Sequence, residues 1–255
     1  MGRQAREKSE SGIHHVMLRG INQSQLFYDA EDRREFLNRV ARLKADGAFG
    51  LLAYCLMGNH IHLLIQEKEE SLSLSMKRLS LSYSYWFNAK YDRSGYLFQG
   101  RFKSEPVNDD AYLLAVFRYI HHNPLKIGER IDSWTSYNDY LSPSELIDSD
   151  LILSLFSDDI TEARTHYRRY MSESLPEKCE MLESRSDRPS DKQAIERIKQ
   201  LGNIDSCNQL AELDKGNRNQ LLFRLKKGGL SVRQISRLTG INRGIVQRAG
   251  EKVKR

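Results

Sequence analysis

Gly58-Asn59-His60-Ile61-His62-Leu63-Leu64-Ile65-Gln66 is the stretch on which the reading of this chain turns. On a strand, residues i and i+2 share a face. His60 and His62 therefore project together, while Ile61, Leu63 and Ile65 project the other way. The apolar set predicts a sheet face covered by helices, and the imidazoles predict an open face opposite. Two imidazoles at this spacing can hold one divalent ion. Taken alone, a His-x-His pair is as readily a surface or core pair. Gly58-Asn59 is a hairpin signal, and the apolar run 49–57 before it reads as the partner strand.

The flanking segments complete a pattern. Residues 12–18 read as a first strand. A helix is predicted over 31–45, with Asp29 as N-cap and Phe36, Leu37, Val40 and Leu43 on one face. A second helix is predicted over 71–90, where Leu72, Met76, Leu79, Tyr83 and Trp86 form a core stripe. A strand is expected over 96–105. A last helix is expected from Asn108 to about His122, ended by Pro124. The order is that of an α+β, ferredoxin-like split βαβ core.

On the last helix Tyr112, Val116, Tyr119 and Asn123 form one stripe. Tyr119 and Asn123 are i and i+4, so they are neighbours on a continuous helix. Asn123 precedes a proline, which disfavours helical backbone there. A tyrosine at this position is either an amphipathic core residue or a nucleophile. The adjacent pairs His14-His15 and His121-His122 should diverge, and so are weaker metal candidates. Gln99, Arg101 and Lys103 alternate with Phe98, Gly100 and Phe102, and are expected on the open face, where a phosphate backbone could run.

The charge is uneven. Residues 191–255 hold 15 Lys/Arg against 6 Asp/Glu, a surplus of 9, where the whole chain carries only +6. A basic terminal segment points to nucleic acid or to a solvated basic face. Within it, Ser231-Val232-Arg233-Gln234 fits a capping box. Gly240 supplies a turn and Asn242 a second cap. This predicts an all-α, helix-turn-helix-like domain presenting Arg243, Gln247 and Arg248 to duplex DNA, or else a small protein-interaction bundle. We divide the chain into 1–140, an acidic helical connector and linker over 141–190 (the linker being 172–190), and the basic helical domain 191–255. Cys55, Cys179 and Cys207 are scattered, which argues against a disulfide framework. No apolar signal or membrane-length run occurs, so a soluble, cytoplasmic protein is expected.

Gly58-Asn59-His60-Ile61-His62-Leu63-Leu64, Phe98-Gln99-Gly100-Arg101-Phe102-Lys103-Ser104 and Arg118-Tyr119-Ile120-His121-His122-Asn123-Pro124, with His15-Val16-Met17-Leu18-Arg19-Gly20-Ile21-Asn22 ahead of them, resemble the REP-associated tyrosine transposases. These are IS200-like members of the HUH single-tyrosine transposases. The resemblance spans about residues 10–140. It implies cleavage and rejoining of single-stranded DNA, at hairpin-forming repeats, with Mg²⁺ or Mn²⁺. It further implies His60, His62 and Asn123 as metal ligands, Tyr119 as nucleophile and a 5′-phosphotyrosine intermediate. Single-stranded or hairpin DNA is the expected partner, with the enzyme a monomer or a homodimer. A replication-initiator or relaxase-like nickase, and a non-catalytic DNA-binding regulator, are the alternatives. The first often pairs its tyrosine with a helix lysine, where this chain has Asn123.

Overall fold

A computed structural model describes residues 9–173 and 191–249. The chain divides into two compact units, 1–179 and 180–255, each treated separately below.

In the first unit, β1 (Ile13–Arg19), β2 (Phe49–Leu56), β3 (His60–Glu67) and β4 (Lys103–Pro106) form one antiparallel sheet in the order β2-β3-β1-β4. Helix α1 (Ala30–Ala45) precedes β2, α2 (Leu72–Lys90) precedes β4, and α3 (Asp110–His122) follows it. This is the α+β, ferredoxin-like arrangement expected. Local chemistry sets the helix ends. The Asp29 carboxylate accepts from Asp32 N–H at 2.9 Å, and Asp32 answers through a reciprocal capping box. Asp109 caps α3 by accepting from Tyr112 N–H at 2.8 Å.

Ile61, Leu63 and Ile65 are fully buried, as are Phe36 and Val40 of α1 and Met76 and Leu79 of α2. Phe87, rather than Trp86, extends the core stripe of α2. Positions 86 and 87 both suit the i+3/i+4 spacing from Tyr83. Trp86 is half-buried instead, with the Arg39 and Lys90 cations over its ring.

Two expectations are corrected. The histidine face of the sheet is not open: α3 packs across β2 and β3 on that side. Its buried residues Leu113, Val116, Phe117 and Ile120 require an apolar floor. A bulge at Leu52 shifts the β2 register, and β2, contacted by both α1 and α3, is buried along its whole length. The strand expected over 96–105 is also shorter. Phe98 bridges Gly20 and Gln99 N–H donates to Arg19, but Gly100 at φ 70° turns the chain away. Regular pairing resumes at Lys103 opposite Met17.

Residues 124–173 pack onto this core. Trp134 and Ser136 hydrogen-bond along the β2 edge. After α4 (Asp150–Ser154), α5 (Ile160–Ser172) buries Tyr167 against Phe117 and Tyr140. The described part of the expected connector thus belongs to the first unit's body. The expected linker, from residue 174 on, lies outside the described residues.

The second unit contains α6 (Asp191–Gly202), α7 (Lys215–Lys227), α8 (Val232–Thr239) and α9 (Arg243–Arg248) around a core that includes Ile198, Leu222, Leu225, Ile235 and Val246. Ser231 caps α8 by accepting from Gln234 N–H. Gly240 ends α8 at φ 73°, a left-handed turn that glycine adopts without strain, and Asn242 caps α9. Arg237 pairs with Asp191, and Lys226 donates to the Gln247 carbonyl at 2.8 Å. Among the described residues, no helix is long and apolar enough to cross a membrane.

Candidate active site

The antiparallel register assembles the site from three elements. Met17 stands opposite His62 across β1 and β3, so His15 and Met17 share the face of His60 and His62. The His60 and His62 rings lie 5.0 Å apart, centroid to centroid. Helix α3 brings the Tyr119 ring edge-on to His62 at 5.6 Å and to His15 at 5.9 Å. The expected pair and the expected tyrosine therefore meet.

They meet in a closed space. His62 and Tyr119 are each 2 % exposed, and His60 is half-buried. Burial, with the electrostatic influence of His60, His15 and Lys126, holds the His62 pKa well below the usual imidazole range. Burial also lowers His15 to about 4. Both imidazoles are thus neutral at physiological pH, the form in which imidazole donates a lone pair to a metal.

Asn123 continues α3 in helical conformation (φ −55°, ψ −43°) despite the following proline. Its Nδ2 donates to the Tyr119 carbonyl at 2.8 Å, so that Oδ1 is the atom it would offer a cation. The donor types, two imidazoles and one amide oxygen, are ones that can hold a divalent ion. Among the described residues, no group of three or more His, Cys, Asp or Glu is arranged to hold a metal.

Sequence reasoning had set His15 aside as part of a weaker metal pair, and missed Asn59 and Lys126 as neighbours of the site. His15 Nε2 lies 2.9 Å from His62 Nδ1, and the rings stack at 5.2 Å. Asn59 Oδ1 lies 2.7 Å from His60 Nδ1. The Lys126 ammonium stands 4.2 Å from the Tyr119 ring centre, delivered by the short 3-10 turn Pro124–Ile127. The signal for His15 was its parity with Met17, usable only once the β1–β3 register was known. His121 and His122 do diverge from the site: they bond to Phe117 and Ser136, and to Met171, respectively.

The remaining candidates are dispersed. Lys103 lies on the histidine face by register and is exposed. Gln99 and Arg101 are exposed too, but precede β4 rather than alternate along it. Arg243, Gln247 and Arg248 are exposed on α9 in the second unit.

By fold and site, the first unit is a ferredoxin-like sheet on which a His-x-His strand faces a tyrosine helix. Residues 8–123 match the model of the family described as "Transposase IS200 like", a match that runs from the start of the sheet through Asn123. It covers the motifs on which the family resemblance rested. Among solved structures the chain is similar to one titled "Structure of the REP associates tyrosine transposase bound to a REP hairpin". That likeness has 16 % identity and a TM-score of 0.47, and covers 59 % of this chain and 96 % of the other. No curated protein matches the chain.

Proposed function

We propose that this protein is a metal-dependent transposase-type nuclease that cleaves and rejoins single-stranded DNA through Tyr119. The observation that carries the reading is the meeting of the Tyr119 ring with the His60–His62 pair on one sheet face. The family match over the same residues supports it.

In this reading His60 and His62, with the Asn123 amide oxygen, hold Mg²⁺ or Mn²⁺. A divalent ion there supplies charge neutralisation and orientation of the scissile phosphate. The Tyr119 phenol loses its proton and its oxygen bonds to phosphorus. The bond from phosphorus to the 3′ oxygen breaks, and that oxygen takes a proton to leave as a 3′-hydroxyl. The product is a 5′-phosphotyrosine, which conserves the phosphodiester bond energy for rejoining. Lys126, beside the phenol, adds positive charge where the phosphate must sit. Lys103, Gln99 and Arg101 bind the strand's phosphates. The 191–255 domain grips duplex or hairpin DNA through Arg243, Gln247 and Arg248.

The test is incubation of the full chain with a pool of single-stranded hairpins and Mg²⁺, followed by sequencing of covalently captured DNA. A metal-dependent adduct at Tyr119 is expected. Binding without any adduct would instead identify a DNA-binding regulator on the same fold. Release of nicked DNA without rejoining would favour a nickase.

A further inference from the structure

The two strand histidines share a feature beyond their spacing: each has Nδ1 engaged by a polar neighbour. Asn59 Oδ1 reaches His60 Nδ1 at 2.7 Å, and His15 Nε2 reaches His62 Nδ1 at 2.9 Å. A neutral imidazole carries one N–H, and the other nitrogen holds the lone pair. The proton between His15 and His62 therefore decides what His62 can do. If it resides on His62 Nδ1, the lone pair of His62 is on Nε2, the nitrogen turned away from His15. If His15 donates it, His62 carries its own proton on Nε2 and cannot coordinate through that atom.

The contact itself admits either direction, and a ligand role for His62 through Nε2 requires the first arrangement. His15 is 4 % exposed, stacked on His62 with an interplanar angle of 19° and edge-on to Tyr119. Its place on β1 is fixed by pairing with β3 on one side and β4 on the other. At His60, Asn59 offers an oxygen that can only accept, so Nδ1 must be the protonated nitrogen there. A ligand role through Nε2 at both residues requires the same tautomer at His62.

We infer that His15 and Asn59 are positioning residues that accept the Nδ1–H of His62 and His60, so that both strand histidines present Nε2 to a divalent ion. The inference rests on the proposed ligand role of His60 and His62. It gives His15 a task that its neighbour His14 does not share: His14 points to Glu67 at 3.4 Å.

Two measurements test it. The first uses the full-length ¹⁵N-labelled protein free of metal, in which long-range ¹H–¹⁵N correlations report the tautomer of each imidazole. Nδ1–H is expected at both His60 and His62. Nε2–H at His62 overturns the inference, whatever any variant does. The second is Mn²⁺ titration followed by electron paramagnetic resonance. His15→Phe keeps a ring but removes the acceptor, and should weaken Mn²⁺ binding by about 10–100-fold. His15→Gln, which restores an accepting oxygen, should recover most of that loss. Unchanged Mn²⁺ affinity in a folded His15→Phe overturns the positioning role. His62→Ala is the separate control: undiminished Mn²⁺ binding there defeats the ligand assignment itself, while the tautomer measurement still judges His15.

Discussion

His62 and Tyr119 face each other across 5.6 Å, yet they are held in place by different means. His62 lies in β3, paired on one side with β1 and on the other with β2. Its direction is a consequence of strand parity, which a whole ladder of backbone hydrogen bonds enforces. Tyr119 lies on α3, which has only side-chain packing to hold it on the sheet. Much of that packing comes from residues after the family match ends. Phe117 meets Tyr140 and Tyr167, the Arg118 guanidinium sits 4.0 Å from the Tyr170 ring centre, and His122 Nε2 reaches the Met171 carbonyl. One half of the site is built by pairing, the other by clamping. The lesson is that the histidine half, the proposed metal site, should tolerate surface change, whereas the tyrosine half depends on distant residues.

The sharpest test breaks both halves by chemistry alone. Tyr119→Phe keeps the ring and its packing, and should abolish the covalent adduct while hairpin binding survives. His60→Ala and His62→Ala should each lower cleavage by about 100-fold or more, since each removes a proposed ligand. Full adduct formation by the phenylalanine variant, measured by gel shift under denaturing conditions, would remove Tyr119 from its role.

The next test removes the clamp without touching the site. Tyr167 is fully buried between Phe117 and Tyr140, so Tyr167→Ala should cost about 3–5 kcal/mol of stability. Chemical denaturation measures this, and a loss below 1 kcal/mol would show that α5 is not a support for α3.

Acid should weaken the clamp as well. Burial lowers His121 to about 4, below the usual imidazole value of 6.5. Between these values the unfolded chain binds a proton that the folded chain refuses. The stabilising contribution is therefore complete above pH 6.5 and is lost as pH falls toward 4, by about 3 kcal/mol. His121→Gln should flatten that part of the stability–pH curve. An unaltered slope would show that His121 is not the group responsible.

The smallest effect expected within the core concerns the start of α3. Asp109→Ala removes the cap on Tyr112 N–H and should cost about 1 kcal/mol, read as a lowered melting temperature. An equal loss from capping and from Tyr167 would erase the proposed contrast.

Much of the sheet half was legible because its signal is local. His60-Ile61-His62 declares its two faces within three residues, and Asp29 marks a helix start by its own chemistry; the start of α3, expected at Asn108, is capped by Asp109. The partners were not legible. His15 joins His62 across a register that links residues 47 apart in sequence. Lys126 returns to Tyr119 only because the turn after Asn123 bends the chain back. The open face was misjudged for a related reason: the periodicity of α3 shows that it buries one side, but not against which surface. The early end of the strand pattern at Gly100 depended on one backbone angle, φ 70°, that composition does not announce.

The near-complete burial of Tyr119 has a consequence for how often a strand-cutting enzyme of this kind would act. Tyr119 as a whole residue is 2 % exposed, so in the proposed reaction α3 or the turn behind it would have to yield to make room for a phosphate beside the ring. In that reading the resting molecule would be protected, and its cutting frequency would be capped by the share of time spent unlatched. Every 1.4 kcal/mol by which DNA favours the unlatched form raises that share about tenfold. Selectivity for one DNA over another would in this way be exercised at the latch, before any bond is broken.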